Sequence, residues 1–243
     1  MQVVYRPPKF ALRESGFDFC PGCGYGSILL ALTECVATLP ERPVFMLDIG
    51  CVDFMVAHMP GDVMMGTHGR TSAFASGYKR VHPERIVIAI QGDGGFMGLG
   101  STESLHAANR GEPITVIVLN NGVLADTGGQ LAPTTLAGQK TASSPSGRTA
   151  DVGTPLAFLE IISRLPGVGF AERVAIDSVP SMGRLKKAFR KAIQVQSSGK
   201  YSVVEVLSPC PTHWRIDPVP AWERVRTEVS SVYPVGILGR REV

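Results

Sequence analysis

Five short runs along the chain are apolar at nearly every position: PVFMLDI (43–49), RIVIAIQ (85–91), ITVIVLN (114–120), RVAI (173–176) and YSVVEVL (201–207). They are rich in β-branched residues and apolar on both faces, which is how strands of a parallel sheet covered on both sides read. Between them apolar positions recur at helical spacing over 24–38, 69–82, 101–110, 155–164 and 181–197, with a last helical stretch over 218–231. The βαβα order predicts an α/β fold with a doubly wound, mostly parallel sheet. Two stretches fit neither period. Residues 50–66 show little periodicity, and 121–150 form a Gly-, Ser-, Thr- and Ala-rich segment of a length that is usually functional or ordered by a partner. No internal repeat or linker divides the chain. The expected organisation is an N-terminal arm (1–19), a main domain (20–217) and a C-terminal helix and tail (218–243) packing on the domain or on a partner.

Composition narrows the class without naming a chemistry. With 243 residues, 44% apolar and 19% charged, the chain can bury a full core. A net charge of +3 is too small to point to nucleic acid or a membrane surface. No apolar run approaches the roughly 20 residues of a membrane span. The opening MQVVYRPPKF reads as neither a signal nor a transit peptide, so the expected location is cytoplasmic. There, cysteines 20, 23, 35, 51 and 210 are more readily ligands, reactive thiols or core residues than disulfides.

Candidate chemistry gathers in QGDGGFMGLGSTESLHAANRGEPITVIVLNNG (91–122). The stretch runs from the C-terminal end of one predicted strand to that of the next, the edge where open α/β sheets bind ligands. Gly92, Gly94 and Gly95 allow close backbone approach, and backbone N–H groups near the helix start at Ser101 favour an anion. Asp93 offers a carboxylate oxygen and Asn121 an amide oxygen, a fair start on a Mg²⁺ site completed by phosphate oxygens and a carbonyl. Either GDGG or NNG alone is an ordinary turn signal. The G-x-G-x-x-G arrangement of dinucleotide binding is absent.

CPGCG (20–24) raises a separate question. A C-x-x-C pair serves as a redox dithiol, as half of a metal site, or as two buried thiols. No convincing strand precedes it, which disfavours the redox dithiol, while a structural zinc site remains open. Cys35, mid-helix among Leu32, Val36 and Leu39, reads as a small buried apolar side chain.

Taken together, GDG…NN, TGGQLAPTTLAGQKTASSPSGR (127–148), HGRTSAFASGYKRV (68–81), CPGCG, CPTHW (210–214) and YPVG (233–236) make the chain resemble one family over almost its whole length. This is the thiamine diphosphate-binding β subunit of the multi-subunit 2-oxoacid:ferredoxin oxidoreductases. The resemblance implies thiamine diphosphate, Mg²⁺ and one 4Fe–4S cluster, with coenzyme A as co-substrate. Asp93, Asn121 and the Val123 carbonyl would hold Mg²⁺; Gly92, Gly94, Gly95 and Ala125 would meet the diphosphate. Ile49, Gly50, Cys51 and Val52 would lie along the thiazolium, with His68 near it. Cys20, Cys23, Cys51 and Cys210 would hold the cluster. The other histidines (58, 82, 106, 213) read as structural. The glutamate that activates the cofactor has no counterpart here, since Glu103 lies in the diphosphate-side helix. It is expected from an α subunit supplying the pyrimidine half-site, alongside γ and ferredoxin-like δ subunits and an external acceptor. The basic helix positions Arg184, Lys186, Lys187, Arg190 and Lys191 read mainly as a solvated face.

The sequence departs from the family pattern in ways that bear on substrate. Leu124 and Asp126 stand where Tyr and Met are common, and GDGG replaces GDGD. Phe54 occupies the position where members acting on 2-oxoglutarate tend to carry a basic residue, and Asp53 precedes it. A second substrate carboxylate would be repelled there, so an apolar 2-oxoacid, branched-chain or aromatic such as phenylglyoxylate, is expected. The alternatives are a 2-oxoglutarate-type subunit, a non-oxidative thiamine lyase or decarboxylase, and a non-catalytic metal-stabilised electron-transfer subunit.

Overall fold

The computed structural model describes residues 18–240; the expected arm (1–19) lies almost wholly outside them, as do 241–243. The centre is a seven-stranded sheet. In chain order its strands are β1 (Val44–Leu47), β2 (Asp62–Met65), β3 (Val87–Gly92), β4 (Thr115–Asn120), β7 (Val168–Ala175), β8 (Tyr201–Leu207) and β9 (Gly236–Arg240). A small antiparallel hairpin, β5 (Val123–Leu124) with β6 (Gln130–Leu131), stands outside it. The spatial order is β2-β1-β3-β4-β8-β7-β9, parallel throughout except for the antiparallel edge strand β9.

Strand alternation sorts the apolar runs into two layers. Phe45, Leu47, Ile88, Ile90, Ile117, Leu119, Val204 and Val206 face α1 (Tyr25–Val36) and the α-helix Val179–Ser197. Val44, Met46, Val87, Ala89, Val116, Val118 and Val203 face α2 (Thr71–Val81), α3 (Ser101–Arg110) and the short α4 (Phe158–Ile162). The strands therefore have no polar face because neither face meets water. The long helix, α5, begins at a capping box between Ser178 and Ser181, with Pro180 in its first turn.

Several element boundaries differ from the periodicity. Residues 50–66 hold a 3₁₀ turn (Cys51–His58) and then β2, whose half-exposed DVMM pattern at the sheet edge gave no strand signal. The strand expected at 173–176 begins five residues earlier, because Val168–Glu172 pair with β8 although Glu172 interrupts the apolar run. The helix expected over 155–164 is confined to Phe158–Ile162. In the tail, the short α6 (Pro211–Trp214) is followed by α7 (Pro218–Arg224), which leads through a π-type turn into the short helix Ser230–Val232. Its stripe Ala221, Val225, Val229 and Tyr233 joins Trp214, Leu207 and Val123 in a third buried cluster. Strand β9 follows and pairs with β7, so residues 218–240 are part of the same body.

Buried Arg173 ties these parts together. It pairs with Glu205 of β8 and Glu160 of α4, both at 2.7 Å, donates to the Pro234 carbonyl and lies over the Tyr233 ring.

Candidate functional site

The C-terminal ends of β1, β3 and β4 and the loops that leave them enclose a cleft with about 500 Å³ of empty space open to solvent. From the segment after β1 come Ile49, Gly50, Cys51 and Val52; from β3 and its continuation come Gly92, Asp93, Gly94 and Gly95. Asn121, Val123 and Ala125 come from the segment after β4, and His68 from the loop before α2. The expected thiamine- and Mg²⁺-side residues thus line one cavity. Tyr25, Leu124, Asp126 and Thr127 complete it.

Two glycines here answer to specific neighbours. Gly50 takes φ +117, so the chain turns sharply into Cys51. Gly95 has no room for a Cβ, which would run into the Asp48 carboxylate. A Cβ on Gly94 would meet Leu124, whereas at Gly92 it would meet nothing within 4 Å. The buried Asp48 carboxylate therefore imposes glycine at 95, only the movable end of Leu124 stands in the way at 94, and the cleft wall is open at 92.

Asp93 is fully enclosed at the floor. Burial pushes its carboxyl up to about 7, opposed by a hydrogen bond donated by Thr134 from the long loop. Asn121 Oδ1 accepts from the Val123 N–H at 3.1 Å, and its Nδ2 donates to Tyr25 Oη at 3.2 Å. The Trp214 indole holds the Asn121 carbonyl at 2.9 Å. The loop that supplies Thr134 is itself organised by Arg148, a buried guanidinium donating to the carbonyls of Ala132, Pro133, Thr135, Val152, Gly153 and Thr154.

A second, smaller cavity shares a wall with this cleft and is lined by all four expected cluster cysteines: Cys20, Cys23, Cys51 and Cys210. The pair at 20 and 23 is a β-turn, with Cys23 N–H donating to Cys20 O at 3.0 Å, Pro21 and then Gly22 at φ +77. That is the geometry in which Pro and Gly at the two central positions favour a type II turn. Trp222 Nε1 bonds the Gly22 carbonyl at 3.0 Å, anchoring the turn to α7. Cys51 opens the 3₁₀ turn and Cys210 follows β8, so the sheet brings the distant thiols to the pair. Burial pushes Cys23 up to about 11 and both Cys51 and Cys210 to about 12, and each thiol is raised further by its neighbours. Among the described residues no three His, Cys, Asp or Glu groups converge closely enough for a single metal ion. Tyr25, Cys51, Asn121 and Ala125 line both cavities.

Cys35 stands apart, buried in α1 with its thiol directed to the Lys186 carbonyl. Glu103 is paired with Arg70 at 2.8 Å and does not line the cleft. His213, read from sequence as structural, lies in the wall of the cysteine cavity because the short helix after Cys210 (Pro211–Trp214) turns it there. Asp48 was missed altogether. It directly follows β1, is fully buried, and accepts from Gly69 N–H at 2.7 Å with His68 Nδ1 at 3.2 Å on the same oxygen. A lone carboxylate closing an apolar strand was the available signal, since a buried charge needs a partner.

This arrangement puts the chain among cofactor-binding α/β domains with a ligand cleft at the strand ends. The model for the thiamine pyrophosphate enzyme C-terminal TPP binding domain matches residues 48–206, which makes that class the thiamine-dependent enzymes. Within the class, the chain belongs to the β-subunit family of 2-oxoacid:ferredoxin oxidoreductases. It is 37% identical over 221 residues to the ketoisovalerate oxidoreductase subunit VorA of Methanothermobacter thermautotrophicus, covering 89% of this chain and 46% of that protein. It is 36% identical over 202 residues to the 2-oxoglutarate synthase subunit KorB of Archaeoglobus fulgidus, covering 82% of this chain and 72% of that one. The chain thus spans about half the length of the VorA relative. A solved 2-oxoglutarate:ferredoxin oxidoreductase from Magnetococcus marinus has the same fold, with a TM-score of 0.77 and 22% identity over all of this chain and 87% of that one.

Proposed function

We propose that the chain is the thiamine diphosphate-binding subunit of a complex that oxidatively decarboxylates an apolar 2-oxoacid to acyl-CoA and CO₂. The electrons pass through a 4Fe–4S cluster on this same chain to ferredoxin or another acceptor. The shared wall carries the reading: Cys51 and Tyr25 belong both to the cleft over Asp93 and to the cavity of four cysteines. A cofactor on one side and a redox centre on the other would be separated by little more than one residue.

The side chains suit both groups. Asp93 is a buried carboxylate offset by the Thr134 hydroxyl and backbone N–H groups but by no cation, and a divalent cation would supply the missing positive charge. Asp93, the Asn121 amide oxygen and the Val123 carbonyl would hold Mg²⁺. The backbone at Gly92, Gly94, Gly95 and Ala125 would meet the diphosphate, and Ile49 to Val52 with His68 would border the thiazolium. Bound thiamine diphosphate supplies the electron sink that lets CO₂ leave. Four thiols around one cavity are the donor set that a cubane takes, and structural zinc, which can use the same set, is distinguished by the iron and sulfide content.

No Lys or Arg lines the cleft, and Asp126 does. Nearby Asp53 is raised by burial and then by Asp126 and Asp48. This acidic mouth disfavours a substrate with a second carboxylate. The activating glutamate is assigned to the α subunit.

The test is anaerobic purification of the complex with its co-purifying partners. Iron, sulfide and thiamine should be present in the chain. Turnover should be at least tenfold greater on 2-oxoisovalerate or phenylglyoxylate than on 2-oxoglutarate, a difference of about 1.4 kcal/mol. Preference for 2-oxoglutarate overturns the substrate assignment, and a chain without iron overturns the electron route.

A further inference from the structure

We propose that Asp48 is a positioning residue for His68, forming a carboxylate–imidazole pair that fixes the ring's tautomer and leaves Nε2 as the atom presented to the cleft. Three observations combine. Asp48 is fully buried at the end of β1, so its carboxylate cannot turn to water. Its Oδ1 already accepts the Gly69 N–H at 2.7 Å and lies 3.2 Å from His68 Nδ1, so toward the imidazole it acts as an acceptor and Nδ1 carries the proton. Its Oδ2 has no hydrogen-bond partner and lies against Gly95, where any Cβ would collide with it. The carboxylate is thus clamped between a glycine of the cleft wall and the loop that carries His68. The imidazole is partly exposed and lines the cavity.

A histidine held through Nδ1 offers a single, oriented nitrogen to whatever occupies the cavity. On the reading above, on which this role in turnover rests, that occupant is the 2-oxoacid. His68 Nε2 would hydrogen-bond its reacting oxygens, while Asp48 touches neither substrate nor cofactor. Asp53 feels the charge of His68 and serves as the control.

The experiment begins on the full-length chain labelled with ¹⁵N-histidine. The His68 ring signals are assigned from the spectrum of H68Q, and long-range ¹H–¹⁵N correlations report the tautomer of the neutral ring. The wild type should carry its proton on Nδ1. In D48A the acceptor is gone, so the ring should lose its single tautomer and the Nε2-protonated form should appear, while D53N should keep the wild-type tautomer. In the assembled complex D48A should lower kcat roughly tenfold or more, with KM for the 2-oxoacid changed less than about threefold. A purely structural Asp48 would lower thermal stability but leave the D48A tautomer unaltered. A wild-type ring protonated at Nε2, an unchanged tautomer in D48A, or a D48A complex with normal kcat overturns the proposal. If D48A does not fold, the wild-type spectrum still decides the tautomer. Failure of the wild-type chain to bind thiamine diphosphate with Mg²⁺ would instead overturn the reading of the cleft, and the spectrum would be unaffected by it.

Discussion

At the scale of single residues, Asp93 concentrates the most physical tension. Its carboxyl is fully enclosed and pushed up to about 7, against an ordinary aspartate value of about 3.9. Between about pH 4 and about pH 7 the folded chain therefore holds a proton that the unfolded chain has released, and stability falls as pH rises through that window. Without cofactor, the chain should unfold at lower urea at pH 8 than at pH 5. Mg²⁺ with thiamine diphosphate should abolish the difference, because the cation stabilises the ionised form. D93N should flatten the pH dependence and weaken Mg²⁺-dependent thiamine diphosphate binding at least tenfold, about 1.4 kcal/mol. Urea titrations and fluorescence binding at the two pH values check both. A chain more stable at pH 8 would show that Asp93 is compensated by something other than a cation.

At the scale of elements, the 121–150 segment is the least regular part of the chain and among the most constrained. Its hairpin is two residues per strand, a bridge joins Thr141 to Ser144, and backbone hydrogen bonds tie Gly138 and Gln139 to Arg148 and Ala142 to Gly129. Order comes from Arg148, which gathers six backbone carbonyls from 132–154 around one buried guanidinium. Removing it leaves buried acceptors unpaired, each at about 1–3 kcal/mol. R148A should cost at least about 3 kcal/mol by chemical denaturation and open the loop to limited proteolysis. It should also weaken thiamine diphosphate binding, because Thr134, the partner of Asp93, lies in the same loop. Lysine should rescue little, since a point charge with three donors cannot span the fork. Wild-type-like proteolysis in R148A would mean that the loop is ordered by its own backbone.

At the scale of the whole molecule, the sheet joins two sites by placing Cys51 between them. Its two-sided position separates the variants. C210S should lose most of its iron while keeping thiamine diphosphate affinity within about twofold, since Cys210 lines only the cysteine cavity. C51S should impair both. Iron and sulfide assays beside thiamine titration of the same anaerobic preparations measure this, and equal loss of both cofactors in C210S would mean that the cavities are one cooperative unit. The tail has a comparable integrating role: Tyr233 Oη donates to the Thr134 carbonyl, and Pro234 accepts from Arg173.

Much of this was legible in the linear chain. Apolar runs without alternation required a sheet covered on both faces, and the glycine–carboxylate–asparagine spacing required both groups at one sheet edge. The CPGC turn is local chemistry, fixed by Pro and Gly between the thiols. Strands β2 and β9 were not legible, because edge strands carry no period of their own, and the early start of β7 was hidden by Gly169 and Glu172 inside a buried run. Tertiary structure alone decided the rest. It set Asp48 against Gly95 and His68, it turned His213 into the cysteine cavity, and it gave Arg148 its six carbonyls. These depend on contacts between segments far apart in the chain, and a buried charge takes its meaning from whichever groups the fold brings within a hydrogen bond of it.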